Sequence, residues 1–438
     1  MPTLGRRTFF SAGPVEFMIR GNRIRLFLIL IAATGLSACG FSKLKDDLQR
    51  YEAQAHDFDG SLALEQLESD ALLIVGMHDS DGTDIYSYRV MSGPGDFQFK
   101  GEKKPLYFFA FDDRNKDLAF QPGEPFARNT PAGPVDPNAG GTDDIRLVIS
   151  ADSISRQDYP SGLVGVAVTD YDAEMGLTFV VGGVTSLDST LFSEEQAKKG
   201  LWQPYDFMVD GGAGIHFLEE YDPGRIPVLF VHGVNGTPQN FTALIAGLDR
   251  SRYQAWVYSY PSGLRLHDLA DGMFQFMETL ERRYAFDELH VIAHSLGGLV
   301  SRGALNMCVQ RNSCKYLRSY TTLSTPWNGV ASAKSGVEWA PTVVPVWRDI
   351  DPDSEYVTTL FDTPLPDGLP HQLLFGFKQT SILGSDSSDG VIKLTSQLRN
   401  AAQEQAFAVR GYDEGHVSIL SSDLVIEKVY EILNADVD

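Results

Sequence analysis

The sequence predicts a two-part α/β protein: a small β-sandwich-like domain, then a larger domain built on a mostly parallel sheet with helices on both faces. Three observations carry this. Short β-rich runs separated by Gly, Pro and Asp turns occupy residues 71–150. From about residue 213 onward, apolar strand-like runs alternate with segments of helical period, the pattern of a parallel sheet. One of those runs, His290 to Ala293, leads into Ser295 and a turn of small residues, after which Leu299 to Met307 reads as helix. Such a strand–turn–helix thrusts a serine out of a sheet as a nucleophile.

At the front, Arg20, Arg23 and Arg25 precede the apolar run Leu26–Ala33 and the small residues up to Cys39. That is the build of a secretory signal over residues 1–38, too short to span a bilayer as a helix. Leu36-Ser-Ala-Cys39 resembles the bacterial lipobox, which implies cleavage before Cys39 and lipid on its sulfur and amine. Gly40 is not the aspartate that retains lipoproteins at the inner membrane, so the expected location is the outer membrane of a bacterial envelope. Met18 reads as the more conventional start; Arg6-Arg-Thr-Phe-Phe10 resembles a twin-arginine export motif, interrupted by Glu16 and further arginines.

Residues 39–70 are polar and read as a tether with some helix. Strand-like runs come next at 71–76, 84–90, 105–111 and 144–149, and residues 151–212 are expected to connect the two parts. Asp113, Asn115, Asp117 and Glu124 occupy positions 1, 3, 5 and 12 of a calcium loop of EF-hand type. Position 6, which needs glycine, is Leu118, and the flanks read as strands. A structural calcium and a solvated acidic turn both remain open here; no cofactor is required, and no metal is assigned.

In the larger domain, Val228–Val231 is a continuous apolar run, as expected for a parallel strand buried on both faces, and it ends in His232-Gly233. Tyr253–Tyr260 is a second strand. Leu266, Leu269, Ala270, Met273, Met277, Leu280 and Tyr284 recur at helical spacing over 266–285. At the serine turn, the residues two before and two after must be small because strand and helix nearly touch; they are Ala293 and Gly297.

Residues 213–438 resemble an α/β-hydrolase of the serine lipase/esterase group, closest in pattern to bacterial triacylglycerol lipases and inositol-deacylase-like hydrolases. The matching pieces are Val231-His-Gly-Val-Asn-Gly236, Ala293-His-Ser-Leu-Gly297, Ser324-Thr-Pro-Trp-Asn-Gly329 and Ser388-Asp-Gly-Val-Ile392. Ala293 stands where the usual elbow has glycine, and Trp327 stands where those lipases carry a histidine; no role is assigned to it. The resemblance implies oxyanion donors at the backbone N–H groups of Val234 and Leu296, and a triad in the chain order Ser, acid, His. His416, in the loop after the strand-like Ala406–Gly411, then becomes the base, because His371 precedes the candidate acid. Asp389 matches the family's acid better than Asp386. His294, beside the nucleophile, is read as a packing and hydrogen-bonding residue. The long insert at about 328–378 is expected to form either a mobile lid or a rigid cap.

Once Cys39 is lipidated, Cys308 and Cys314 remain as a pair, and an oxidising compartment favours a small disulfide loop there, provided the helix breaks at Arg311-Asn312-Ser313. The chain carries −22 overall, and near −26 from Cys39 onward because residues 1–38 hold five arginines and one glutamate. So acidic a surface argues against nucleic acid and anionic headgroups as partners, not against a neutral acyl ester or lipid as substrate. Together these features read as a lipid-anchored envelope hydrolase cleaving carboxylic esters through an acyl-serine. The alternatives are an acyltransferase with the same triad and a non-catalytic binding module on a hydrolase scaffold.

Overall fold

The computed structural model describes residues 38–67, 72–78, 85–91, 93–129, 133–139, 145–155, 164–165, 168, 179–378 and 387–435. The signal segment, Leu36 and Ser37 of the lipobox, the Thr380–Gly384 run and Asp386 lie outside these residues. Among the described residues no helix is long and apolar enough to cross a membrane.

The N-terminal part is two small sheets. In the first, β1 (Ala55–Glu65) lies between β4 (Gly95–Glu102), its antiparallel partner, and β7 (Ile145–Ser150), its parallel partner. The second runs in the order β3 (Ile85–Met91), β2 (Leu72–His78), β5 (Tyr107–Asp113), β6 (Phe126–Arg128), all antiparallel. Strand alternation sorts the side chains: Leu73, Val75 and Met77 enter the core between the sheets, and Ile74 enters a second cluster with Phe109, Phe111, Phe120 and Phe126. Phe58 of β1 and Phe99 of β4 meet Phe108 of β5 at ring separations of 5.3 and 6.1 Å, which joins the sheets face to face as a sandwich.

The stretch 39–70, read from sequence as a tether with some helix, carries the helix Ala38–Gln54, which runs directly into β1. Phe41, Leu44, Leu48 and Tyr51 recur at spacings of three and four and face the protein body. Asp47 is fully buried and accepts hydrogen bonds from the Tyr205 and Asp206 amides (2.9 and 3.1 Å) at the start of helix Pro204–Val209. Arg50 pairs with Asp206 at 2.8 Å. Residues 151–212, expected only to connect the two parts, also supply the main sheet: β8 (Phe179–Val184) is one of its strands, and helices Glu194–Trp202 and Pro204–Val209 come after it.

The main sheet has eight strands. Besides β8 they are β9 (Ala213–Phe217), β10 (Ile226–Val231), β11 (Tyr253–Ser259), β12 (Leu289–His294), β13 (Leu317–Leu323), β14 (His371–Gly376) and β15 (Ala408–Tyr412). Their order across the sheet is β15, β14, β13, β12, β10, β11, β9, β8. From β11 to β15 every pairing is parallel; β9 runs antiparallel to β11 and parallel to β8. Buried side chains on both faces explain the unbroken apolar runs. Leu229 and Val231 of β10 enter one core and Val228 and Phe230 the other. This is the α/β-hydrolase fold. The insert is shorter than 328–378: β14 is His371–Gly376, whose Leu373 and Leu374 are core residues of the sheet.

The insert itself holds three short helices, Ala331–Trp339, Pro345–Asp349 and Glu355–Thr359. It is bolted down. Asp349, 3% exposed, accepts from Arg265 Nε and Nη2 (2.9 and 2.6 Å) and from the Leu266 amide at 2.7 Å. Tyr356 Oη donates to the Leu299 carbonyl at 2.9 Å. Arg302, fully buried, donates to the Thr363 carbonyl and Gln405 Oε1 at 2.6 and 2.7 Å and lies over the Phe361 ring. Burial pulls its guanidinium down to about 10, which leaves it charged at neutral pH. These contacts tie the insert to the start of helix Leu266–Tyr284 and to helix Leu296–Gln310.

Candidate active site

The tight turn after β12 is dictated by its sequence. Ser295 has φ 52° and ψ −121°, outside the regions a serine ordinarily adopts, and its amide donates to the Leu323 carbonyl at 2.9 Å. A Cβ at Gly297 would come within 2.3 Å of the Val231 carbonyl oxygen and 2.5 Å of that of His232, so backbone meets backbone there. The fifteen-residue helix Leu296–Gln310 starts at Ser295, and its positive end points to where negative charge would form on a substrate.

The candidate base, His416, arrives from the loop after β15 and the candidate acid, Asp389, from the loop after β14. His416 Nε2 is 2.9 Å from Ser295 Oγ, and His416 Nδ1 is 2.7 Å from Asp389 Oδ2. With Nδ1–H donating to the carboxylate, Nε2 is left to accept the serine proton. Asp389 is 2% exposed, and its other oxygen accepts from the Val391 and Ile392 amides at 2.9 and 2.7 Å. Burial alone would raise the Asp389 pKa, but the hydrogen bond and charge of His416 and the two amides outweigh it and hold the carboxyl below its ordinary value. The two loops are tied to each other, since the His416 amide donates to the Asp389 carbonyl at 2.9 Å.

Two further histidines frame this row. His294 Nε2 donates to the His416 carbonyl at 2.7 Å, with the rings 4.8 Å apart. Burial, then the neighbouring His416, drives His294 down to about 3, so it stays neutral. His232, also buried and pulled down to about 4 by desolvation, stacks on Tyr260 at 4.2 Å and receives the Tyr260 amide at 3.4 Å. His371 lies away from the row in β14, bonded to Thr322 Oγ1 at 2.9 Å and stacked on Tyr320.

The loop after β10 carries Val234, next to Asn235, whose positive φ of 52° turns the chain and whose amide donates to Ser262 Oγ at 2.9 Å. Among the described residues neither the Val234 nor the Leu296 amide has a backbone acceptor, so both are free to donate to a ligand oxygen. Gly233 allows this loop close to the nucleophile: a Cβ there would be 3.0 Å from Ser295 Cβ.

The other sequence candidates lie elsewhere. Cys308 and Cys314 form a disulfide, Cα–Cα 5.5 Å, at the far end of the nucleophile helix, where Asn312 and Cys314 adopt positive φ. Cys39 is the second residue of helix Ala38–Gln54. In the 113–124 loop the carboxylates are taken up by the loop's own amides: Asp113 accepts from Leu118, Asp117 from Ala119 and Glu124 from Arg114 and Gln121. Among the described residues no group of three or more His, Cys, Asp or Glu is placed to hold a metal ion. The Arg265–Asp349 latch escaped sequence reading because its partners stand 84 residues apart with no motif around either.

Residues 267–351 match the family model described as "Putative serine esterase (DUF676)". That stretch contains Ser295 and the nucleophile helix and stops short of Asp389 and His416. No curated protein matches the chain. Similar solved structures include the mature lipase BlEst2 of Bacillus licheniformis (18% identity, TM-score 0.40, 50% of this chain and 95% of that one). Others are the lin2722 gene product of Listeria innocua (15%, 0.37, 48% and 95%) and the phospholipase PlaB of Legionella pneumophila (20%, 0.32, 40% and 45%). Over residues 267–351, then, the chain is similar to a family described as serine esterases.

Proposed function

We propose that this chain is a lipid-anchored serine hydrolase of the bacterial cell envelope that cleaves carboxylic esters through an acyl-serine intermediate. The observation that carries the reading is the unbroken row from Asp389 through His416 to Ser295, with 2.7 and 2.9 Å between successive partners. A serine hydroxyl is a weak nucleophile at neutral pH unless a base removes its proton as it attacks. His416 takes that proton while Oγ adds to the ester carbonyl, and Asp389 stabilises the imidazolium and fixes its tautomer. The carbonyl oxygen becomes an alkoxide facing the Val234 and Leu296 amides, whose fixed orientation stabilises it without reorganisation. Collapse breaks the ester C–O bond, His416 protonates the departing alcohol, and the acyl group stays on Ser295. Water, deprotonated by His416, then repeats the addition; collapse frees the carboxylic acid and returns the proton to Oγ.

The anchor belongs to the same reading: lipid on Cys39, with Gly40 favouring the outer membrane. An uncharged acyl ester or lipid is the substrate class that suits a chain of −22. An acyltransferase would share the first half-reaction and differ only in giving the acyl group to an alcohol instead of water. A binding-only role is disfavoured by a complete row of partners around a strained serine. The test is labelling with a fluorophosphonate, which reacts only with an activated serine. The wild type is expected to label and Ser295→Ala and His416→Ala are not; a folded wild type that stays unlabelled removes the hydrolase reading.

A further inference from the structure

If Cys39 bears lipid, the residues next along the chain decide how the enzyme sits on its membrane. A flexible spacer of tens of residues would let the active site roam. This chain has none. Gly40 lies against the Trp202 ring, where an added Cβ would be 3.6 Å from it. Phe41 packs edge-on against Trp202 at 5.5 Å and Trp347 at 6.5 Å, and those two rings meet at 6.3 Å. Trp347 belongs to cap helix Pro345–Asp349, whose Val346 amide donates to the Gly263 carbonyl at 3.0 Å. Adjacent Ser262 accepts from Asn235 in the oxyanion loop. The residues just after the anchor cysteine are therefore part of the wall that carries the cap.

On the cap, which this wall carries, one large aromatic side chain faces outward. Trp339, at the end of cap helix Ala331–Trp339 packed on Pro345–Asp349, is 63% exposed, while the chain's other four tryptophans are at most 7% exposed. An indole at the headgroup level is stabilised there by its apolar body and its N–H donor. Lys43 and Lys45 on helix Ala38–Gln54 and Arg348 on the cap are exposed too, interleaved with exposed Asp46 and Glu338.

We infer that the cap face around Trp339, together with the start of helix Ala38–Gln54, docks on the lipid bilayer that holds the Cys39 acyl groups and thereby fixes the active site next to that surface. The inference rests on the anchor reading above, and the ester-hydrolase reading is separable from it. The substrate class it selects is an acyl ester presented at the surface of the enzyme's own membrane rather than one diffusing free in solution.

The test reconstitutes the mature, lipidated chain into phosphatidylethanolamine/phosphatidylcholine vesicles, with plain or brominated acyl chains. Bromine quenches only an indole that it touches, so brominated lipid is expected to dim the protein's emission, and Trp339→Phe to abolish the difference between the two vesicles. A second variant places a Gly/Ser spacer of roughly 20 residues, about 25 Å of reach, directly after Cys39. It is expected to lower turnover of a vesicle-borne ester several-fold and to leave turnover of a soluble short-chain ester unchanged. Equal emission of the vesicle-bound wild type in both lipids, or a spacer without effect on the vesicle-borne ester, overturns the inference. Intact mass that shows no acyl groups on Cys39 overturns it together with the anchor reading. Quenching retained in a protein that hydrolyses no ester supports the docking and removes only the hydrolase reading.

Discussion

His294 holds His416 by the main chain: its Nε2–H donates to the His416 carbonyl at 2.7 Å, from a ring that burial keeps neutral. The two histidines are 122 residues apart, and only one has a nitrogen directed at Ser295. The loop carrying His416 is thus fixed from the strand that leads into Ser295, and in the proposed reaction small displacements at such a point would be costly in rate.

Replacing His294 by Ala should therefore lower kcat by ~10–100-fold with little change in KM, and His294→Gln, which keeps a donor, should recover part of it. The shape of the pH–rate profile should stay that of the wild type, since His294 does not titrate in the working range. A shifted profile would mean that His294 exchanges protons in the reaction and does not merely position its neighbour.

Asp389→Asn should lower kcat by on the order of 10⁴-fold, because an amide can present a donor to Nδ1 and so favour the wrong tautomer. The folded Asp389 carboxyl lies below its unfolded value of about 3.9, so its stabilising contribution is complete above that pH and is lost as pH falls through the folded pKa. The melting-temperature gap between wild type and Asp389→Asn should hold steady from pH 7 to about 4 and shrink below it. A gap that widens on acidification would contradict the lowered pKa.

Gly297→Ala should destabilise the fold by about 1–3 kcal/mol, since its Cβ would fall 2.3 Å from the Val231 carbonyl and only main chain could yield. Esterase activity should fall with it, because the displacement moves Ser295. Gly390, where an added side chain would meet nothing within 4 Å, offers only its positive φ as an obstacle and makes the contrasting control. Thermal unfolding of both variants separates close approach from backbone strain.

Removing the disulfide by Cys308→Ala with Cys314→Ala should cost about 2 kcal/mol, the chain-entropy value for so short a loop. Specific activity should be kept, because the bond closes the end of the nucleophile helix remote from Ser295. Urea unfolding with and without reductant measures the first, and an ester assay the second.

What was legible in the sequence was whatever had to be local. The serine turn announces itself through Ala293 and Gly297 because two backbones touch within five residues, and Asp389 and His416 each sit in short loops behind strands. The boundaries were less legible where burial depended on distant partners. His371, Gln372 and a preceding proline-rich stretch disguised β14, since a histidine stacked on Tyr320 is core only once β13 is beside it. The docking of helix Ala38–Gln54 was hidden by its lysines and aspartates, because Phe41 and Tyr51 find their partners far along the chain, at Trp202 and Tyr205. Gly182 and Gly183 weakened the strand signal of β8 in the same way.

The row of catalytic partners is also spread along the chain in a particular order. As the polypeptide is made, Ser295 emerges first, Asp389 much later, and His416 a further 27 residues on, 121 behind the serine it serves. A growing chain therefore displays its hydroxyl long before anything can strip the proton from it. On the proposed mechanism, reactivity would date from the laying down of β15 and not from the birth of the elbow, and each molecule would stay inert toward nearby esters until nearly all of its sheet had been assembled.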